Sequence, residues 1–443
     1  MDELKELLRT GSPQELRRRM SDLHYADIAD LIEELQSDES SLLITLLAMM
    51  NDRQVAEVLE ELSASDQLRV AEHMTNTRLR SVIHFVSPDE LVDFLSQLDA
   101  DTVRVLLSAL PDRKTIQRLM EYPETSAGGI MTTDYLAFRG DQSCGQVLNF
   151  YRRLAREVEA AYYIYITEES GHLVGVVSLR ELVLANPNRP IAEIARSDLV
   201  TVPALMDQEE VAQVMTHYDF LALPVVDEED RLLGVITFDD IIDVLEQEVS
   251  EDMARMGGVE PSDEPYLNMT IFSVVRGRAL WLLALFLAQM ITGNILDHFQ
   301  GYIEAVVALA FFIPLLIDTG GNAGAQAAST VIRAMALDEV DMSEIGKVIW
   351  REMRSGLVLG LMMAVVAFAQ ASLLGGSMLL GLTVACALFI IVLMASTLGG
   401  MLPLIARWIG VDPAAASAPV ITTLVDGTGL IVYFLVARTV LGL

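Results

Sequence analysis

Cysteine and basic residues are both scarce in this chain of 443 residues. The two cysteines, Cys144 and Cys386, lie in regions of different composition, so we predict no disulfide framework and expect the soluble part to be cytosolic. The 30 Lys and Arg residues are outnumbered by 62 Asp and Glu residues, which gives a formal net charge of -32 at pH 7. Such acidity repels nucleic acid and anionic headgroups, so no nucleic-acid partner is expected.

The excess acid lies almost entirely in the first part of the chain. Residues 269–443 contain 8 basic and 10 acidic residues, which leaves 22 basic and 52 acidic residues for positions 1–268. Divalent cations are the natural neutralisers of such a region, although a solvated surface kept soluble by its charge explains the composition equally well. Residues 1–6 carry no apolar core, so a cleaved export signal is not predicted.

Long apolar runs dominate the second part of the chain, each near the ~20 residues that a bilayer requires. The runs predict five membrane spans near 277–297, 301–327, 355–374, 378–403 and 413–441. The loop between the second and third runs contains Arg333, Lys347, Arg351 and Arg354. Under the positive-inside rule this loop and the large N-terminal region face the cytoplasm of a multi-pass protein in the cell (inner) membrane, with the C-terminus outside.

Asp426 is an ionisable residue inside the fifth run, where a charge is expensive and usually functional. All basic residues after position 268 lie at or near predicted span ends, so Asp426 needs a proton or a cation as its partner. We favour a cation path over a protonated, buried acid. In the second run, Pro314 and several glycines interrupt an apolar helix that also contains Asp318, Asn322 and Gln326. Amide oxygens of this kind suit a cation's water shell, whereas the glycines are equally well explained by close helix packing.

Residues 1–129 are predicted to form short amphipathic helices, of about ten residues each, that stack into a helical superhelix. Ser87 and Pro88 have the pattern of a helix start, as N-cap and first helical residue. Asp89 and Asp93 then lie one turn apart on one face. Like charges at that spacing indicate either a soluble surface or half of a metal site.

Residues 130–250 contain an internal duplication at a spacing of 59 residues. Residues 173–182 match 232–241, and an apolar strand precedes each copy, at 162–166 and 221–226. The order of strand, turn, strand, Ser/Thr cap and helix resembles a tandem pair of cystathionine-β-synthase (CBS) domains, which often bind adenosine nucleotides. The resemblance implies ATP as a ligand of the pair, at these positions: Ser178, Arg180, Glu181, Phe220 and Thr237. Helix capping by Thr237, with Asp240 in the first turn, explains both residues without a ligand.

An acidic helix is predicted to follow the duplication and to lead toward the membrane. Seven acids fall within fourteen residues, at Asp239, Asp240, Asp243, Glu246, Glu248, Glu251 and Asp252. A run of charged residues is usually a solvent-exposed face. A cation that binds a helix linking two parts of a protein would, however, shift the equilibrium between their conformations. The segment between this helix and the first span contains three residues that interrupt helices, Gly257, Gly258 and Pro261.

Taken together, the chain resembles the MgtE family of magnesium channels and transporters across essentially its whole length. The segments that carry the resemblance in the membrane part are Gly-Gly-Asn-Ala-Gly-Ala-Gln at 320–326 and Thr-Thr-Leu-Val-Asp at 422–426. The implied fold is a multidomain membrane protein whose last part is all-α with five spans. The implied order is an acidic helical N domain at 1–129, CBS domains at 130–195 and 196–244, a connecting (plug) helix at 245–268 and a transmembrane domain at 269–443.

The resemblance implies a homodimer in the lipid bilayer, with a pore between protomers and Mg²⁺ as both substrate and regulator. Asp426 and Asn322 would form the selective site. Cytosolic Mg²⁺ sites that close the pore would use Glu57, Asp89, Asp93, Asp207, Glu209, Asp219, Asp240, Asp243, Glu248, Glu251, Asp252 and, more weakly, Asp412. Asp318 has no counterpart in the family motif.

Two other functions remain open at this point. The same scaffold could carry another divalent cation, Mn²⁺ or Co²⁺, or the chain could be a membrane-anchored nucleotide sensor without transport. The unpaired Asp426 argues against the sensor. The sequence contains no Ser-His-Asp, Cys-His or phosphate-loop pattern, so no enzyme activity is predicted.

Overall fold

The computed structural model describes residues 5, 6, 8, 18–20, 23–35, 39–154, 158, 160–262, 266, 267, 269–337, 339–375 and 377–443. The chain divides into two compact units, Met1–Glu246 and Gln247–Leu443. Parts of the predicted domains lie outside the described residues: 1–4, 7, 9–17, 21, 22 and 36–38 of the N domain, 155–157 and 159 of the first CBS domain, 263–265 and 268 of the connecting segment, and 338 and 376 of the transmembrane domain.

The first unit begins with short helices whose apolar faces pack together. They are α1 Tyr25–Glu34, α2 Ser40–Met49, α3 Asp52–Glu60, α4 Ala64–Glu72, α5 Asn76–Val82, α6 Pro88–Ser96, α7 Ala100–Leu107 and α8 Arg113–Leu119. Side-chain caps begin several of them: Asn51 accepts a hydrogen bond from the Gln54 amide, and Asp99 accepts two. Ser87 occupies the N-cap position of α6 and Pro88 its first residue, as the sequence predicts.

Two three-stranded sheets follow, in the same first unit. Their elements are β1 Tyr135–Phe138, α9 Cys144–Leu154, β2 Ala160–Thr167, β3 Leu173–Ser178, α10 Leu179–Leu184, β4 Val202–Pro203, α11 Gln208–Tyr218, β5 Ala222–Val226, β6 Leu232–Thr237 and α12 Phe238–Met256. The sheet orders are β1-β2-β3 and β4-β5-β6, each with one parallel and one antiparallel pairing. The two sheets repeat one design, which confirms the duplication and the α/β CBS-like pair.

The second unit is helical. Its elements are α13 Ile271–His298, α14 Gln300–Ala305, α15 Ile313–Ala336, α16 Ile345–Gly375, α17 Met378–Trp408 and α18 Ala418–Leu441. Within the described residues, five helical segments are long and apolar enough to cross a membrane: Ile271–His298, Val307–Ala336, Met342–Leu373, Met378–Trp408 and Ala418–Leu441. The predicted five-span architecture is confirmed.

The second span differs from its prediction. Its helix α15 runs without interruption from Ile313 to Ala336, so the expectation that Pro314 and the glycines break it is wrong. Pro314 lies in the first turn, where the missing N–H breaks no helical hydrogen bond. The irregular backbone lies earlier, in a 3₁₀ segment at Val307–Phe312.

Glycines bring the membrane helices into close contact. A Cβ placed on Gly321 would lie 2.9 Å from the Thr422 side chain, and one on Gly324 would lie 2.8 Å from Ile421. On the other side, a Cβ on Gly399 would lie 2.1 Å from the Gly324 carbonyl oxygen. Larger residues would push α15 away from α17 and α18, so the glycines set the distance at which polar groups on these helices face each other.

Candidate functional site

Asp426 lies in α18 and accepts a hydrogen bond from a residue of the first span. The donor is Gln289 Nε2, at 3.3 Å from Asp426 Oδ2. No Lys or Arg forms an ion pair with Asp426 in the part of the chain that the structure describes. The carboxylate is therefore held by an amide dipole and by no opposite charge, which leaves room for a cation.

A second polar pair lies on α15. Asn322 Nδ2 donates to Asp318 Oδ2 at 3.3 Å, one helical turn apart. Asp318 also lies close enough to Asp426 for its charge to act on that carboxylate. Gln326, one further turn along, is exposed on the same stripe. Asp318 therefore contacts Asn322 and acts electrostatically on Asp426, and the assignment of Asn322 and Asp426 to one site stays a prediction.

Acids of the N domain and the second CBS copy come together within the first unit. Desolvation of the Asp93 carboxyl group, followed by the negative charges of Glu124 and Asp240, raises its pKa to about 6. The residue as a whole still has part of its surface exposed to solvent. Burial also raises the pKa of Asp240 to about 6; the Thr237 hydrogen bond opposes this rise, and Asp239 and Asp243 add to it. The structure therefore places Asp93 and Asp240, predicted from distant parts of the sequence, in one field of negative charge.

Among the other predicted acids of the first unit, Asp243 shares the negative surroundings of Asp240. Burial and then Glu246, Asp239 and Glu61 raise the pKa of Asp243. Asp89 is buried, with 5% of its surface exposed. Glu57 Oε1 accepts a hydrogen bond from Arg53 Nε at 3.1 Å, while its Oε2 is buried and has no geometrically defined hydrogen bond to the residues that the structure describes. A buried, unsatisfied carboxylate oxygen is costly, and a cation or water would relieve it.

The end of α12 carries the predicted acids of the connecting helix, and here the structure adds a basic residue. Arg255 forms ion pairs with Glu251 and with Asp412, which precedes the fifth span. Asp412 also caps the following 3₁₀ turn, accepting from the Ala414 amide at 2.8 Å. Arg255 therefore joins the connecting helix to the start of the fifth span.

Asp252 and Glu248 lie in the same group. Burial, followed by the charges of Asp412 and Glu248, raises the pKa of Asp252 to about 6. Four predicted acids thus lie close enough to interact electrostatically, namely Glu248, Glu251, Asp252 and Asp412. Arg255 is the positively charged side chain among them. Sequence reasoning missed Arg255; its spacing of four residues from Glu251 was the available signal.

Three predicted ligands of the second CBS copy are not brought together within one chain. Asp207 caps the start of α11, and Glu209 lies in its first turn, whereas Asp219 ends the helix in the left-handed region at φ 54°. A helix of 11 residues is about 16 Å long at ~1.5 Å per residue. One Mg²⁺ cannot bridge that length, so Asp219 would act in a different site from Asp207 and Glu209.

None of the predicted acidic groups is preassembled as a complete metal site. Across the described ranges, no set of three or more His, Cys, Asp or Glu side chains is arranged to hold a metal ion. Side-chain movement, bound water or ligands from another molecule would be required to complete a coordination shell.

A cavity of about 360 Å³ opens between the two CBS copies. Its lining includes three predicted nucleotide contacts, Ser178, Glu181 and Phe220, together with aromatic and charged neighbours that sequence reasoning did not single out: Tyr163, Arg196 and Tyr218. The rings of Tyr218 and Phe220 are stacked at 5.3 Å. Arg196 binds Glu181 at 2.9 Å.

The other two predicted nucleotide residues do not line this cavity. Arg180 is exposed, and Thr237 is 2% exposed. The Thr237 hydroxyl and amide both donate to Asp240, so the pair serves as a helix cap. The Ser178 amide and hydroxyl likewise donate to Glu181 Oε2, at 3.0 and 2.8 Å. Ser178 Oγ also accepts from the Glu181 backbone N–H at 3.2 Å and so caps α10, but this pair faces the cavity.

Comparison with family models finds three kinds of matching domain along the chain. Residues 23–125 match a model described as the MgtE intracellular N domain, and residues 127–187 and 191–247 match the CBS domain. Residues 313–436 match the MgtE model, described as a divalent cation transporter.

Named relatives align with the whole chain. The magnesium transporter MgtE of Thermus thermophilus is 40% identical, over 99% of this chain and 98% of the relative. The magnesium transporter MgtE of Bacillus subtilis is 32% identical, over 97% and 95%. These full-length matches and the five apolar helices indicate a multi-pass membrane protein with a soluble N-terminal region.

A solved structure also resembles the soluble region. The crystal structure of the cytosolic domain of the Mg²⁺ channel MgtE in complex with ATP is 38% identical. It covers 54% of this chain and 98% of its own, with a TM-score of 0.51.

Proposed function

Because this chain belongs to the MgtE family of divalent cation transporters, we propose that its membrane unit conducts Mg²⁺ and that Mg²⁺ bound by its acidic soluble residues closes the path. The observation that carries the proposal is the pair of carboxylates, Asp426 and Asp318, each held by a side-chain amide among apolar spans. Mg²⁺ dehydrates reluctantly, so a site of few carboxylates and several amide oxygens suits a largely hydrated ion.

We also propose a homodimer, with the pore between two protomers in the cell (inner) membrane and the soluble regions in the cytoplasm. Asp318, Asn322 and Gln326 form an exposed polar stripe on a membrane helix. Lipid cannot satisfy such groups, whereas a water-filled pore between two copies can. Four basic residues lie at the ends of the second and third spans that face each other along the chain, namely Arg333, Lys347, Arg351 and Arg354, and the positive-inside rule supports a cytoplasmic position for these ends.

Closure by Mg²⁺ follows from the charge of the soluble acids. Asp93 and Asp240 repel each other when no cation is bound, and so do Glu248, Asp252 and Asp412. A bound divalent cation removes the repulsion and favours the compact arrangement. Helix α12 follows β6 directly and precedes the segment that leads to the first span. We therefore infer that a cation bound by the acids of α12 stabilises one position of this helix and so closes the ion path.

Uptake by liposomes that contain only this protein tests the proposal. Mg²⁺, Mn²⁺ and Co²⁺ are supplied singly and in competition. We expect Mg²⁺ uptake that excess Mn²⁺ or Co²⁺ inhibits weakly. Uptake of Mn²⁺ or Co²⁺ in preference to Mg²⁺ would support the alternative carrier, and absence of any divalent uptake would leave the nucleotide sensor.

A pH dependence is expected in the soluble region. Asp93 and Asp240 have pKa values raised to about 6, so their ionised forms oppose folding above that pH. A fragment of residues 1–265 without divalent cations should therefore gain stability as pH falls from 7.5 to 5, through the folded pKa toward the ordinary value near ~4. Thermal unfolding followed by circular dichroism measures this gain.

Millimolar Mg²⁺ at pH 7.5 should raise the unfolding temperature of the same fragment by about 5 °C, because an ion that binds only the folded state stabilises it. The double variant Asp93→Asn, Asp240→Asn should lose most of both effects. Equal stabilisation by NaCl at matched ionic strength would reduce these acids to ordinary surface charge.

We further propose that the cavity between the CBS copies binds ATP. The stacked Tyr218 and Phe220 rings offer a face to adenine, and Arg196 offers a positive charge to phosphate. Phe220→Ala should weaken ATP binding about tenfold, or about 1.4 kcal/mol, in calorimetric titration. Phe150→Ala is the matched control, since Phe150 is an exposed aromatic that does not line the cavity. Unchanged ATP affinity in Phe220→Ala would show that this cavity is not the ATP-binding site.

A further inference from the structure

Asp318 is the acidic residue of the second span, Val307–Ala336. It lies in α15, which the glycine contacts bring against α18, the helix of Asp426. Its carboxylate accepts from Asn322 Nδ2 at 3.3 Å and has no ion pair with a basic residue among the described positions. A charge at this depth is expensive unless a mobile cation or water offsets it.

The two carboxylates have parallel surroundings. Gln289 donates to Asp426 and Asn322 donates to Asp318, each through a primary amide at 3.3 Å. A primary amide carries a donor nitrogen and an acceptor oxygen on one rotatable group. When a cation reaches the carboxylates, rotation of each amide replaces a donor by a carbonyl oxygen. The set then offers two carboxylates and two carbonyl oxygens, which are the ligand types that hard divalent cations prefer.

We propose that Asp318 is a second cation-binding carboxylate of the pore, and that it determines how strongly the pore prefers divalent over monovalent cations. This inference rests on the proposed transport of Mg²⁺. The attraction between a fixed charge and an ion scales with the charge of the ion, so a second carboxylate favours Mg²⁺ twice as much as Na⁺. In the proposed homodimer, Asp318 doubles the number of carboxylates from two to four.

Asp318→Asn tests the inference, because it keeps the shape of the side chain and one oxygen that can accept from Asn322 Nδ2, and it removes the charge. The full-length parent and variant are compared in liposomes, with Mg²⁺ uptake measured over a concentration series and in competition with Na⁺. We expect a half-saturating Mg²⁺ concentration about tenfold higher in the variant and Mg²⁺ uptake that Na⁺ inhibits more strongly.

Two further variants complete the design. Asp318→Glu, which keeps the charge, should retain the divalent preference of the parent. Asp297→Asn removes a carboxylate at the end of the first span and should leave both quantities unchanged. Asp318→Ser supplies a second neutral variant, with the same expectation, if Asp318→Asn fails to fold.

The outcomes separate this inference from the proposed function. A parent that takes up Mg²⁺, together with neutral variants that match it in half-saturation and in resistance to Na⁺, overturns the role of Asp318 alone. A parent that takes up no divalent cation overturns the proposed function and, with it, this inference.

Discussion

Asp426→Asn should lower Mg²⁺ flux by about a hundredfold or more while leaving the fold intact. Asparagine keeps the volume and accepts the same hydrogen bond from Gln289 Nε2, but it lacks the charge that opposes the cost of partial dehydration. Stopped-flow or dye-based uptake into liposomes measures the loss, and gel filtration verifies the folded assembly. The control is Asp297→Asn, which should transport like the parent.

Mg²⁺ transport by Asp426→Asn at the parent's rate would show that this carboxylate lies outside the ion path. In that case the pairing of Asp426 with Gln289 is structural, and the polar stripe of α15 would have to carry the ion by itself.

Neutralising the acids of the connecting helix should increase flux at high cytosolic Mg²⁺. The triple variant Glu248→Ala, Glu251→Ala, Asp252→Ala removes the ligands through which bound Mg²⁺ would stabilise the closed state of the ion path. We expect flux about tenfold or more above the parent when Mg²⁺ on the cytoplasmic side is high, and parent-like flux when it is low. Removal of residues 1–265 should have the same effect.

The direction of this change distinguishes closure from attraction. If the acids served to concentrate Mg²⁺ near the pore, their removal would decrease flux. The matched control neutralises three exposed acids of the first CBS copy, Asp141, Glu168 and Glu169, and should leave the response to Mg²⁺ unchanged. Reduced flux in the triple variant at high Mg²⁺, with normal membrane insertion, would show that these acids concentrate Mg²⁺ near the pore and do not close it.

The elements that depend on local pattern were predictable from the sequence. Apolar length predicted five spans, and the spacing of 59 residues predicted two similar sheets, because hydrophobic periodicity and cap residues are local properties. The start of α15 was less predictable. Pro314 looks like a break in a long apolar run, but it begins a helix because the chain leaves a 3₁₀ turn just before it.

The parts of the site that depend on tertiary contact were only partly predictable. Gln289 stands alone as a polar residue in the apolar run 279–291, which marks it as unusual, but its bond to Asp426 spans 137 residues of sequence. Arg255 reaches Asp412 across 157 residues. Conversely, Asp207 and Asp219 are close in sequence, yet a straight helix holds them apart. Long-range packing decides such pairs, and local spacing does not encode it.

Closure of the ion path by Mg²⁺ is tested by Mg²⁺ current or uptake through the full-length protein alone in a bilayer, recorded with low and then high Mg²⁺ on the side of the soluble region. We expect Mg²⁺ flux at low Mg²⁺ and its reversible suppression at high Mg²⁺, with no suppression by NaCl of equal ionic strength. Flux that rises in proportion to Mg²⁺ on that side, or no Mg²⁺ flux at either concentration, would contradict it.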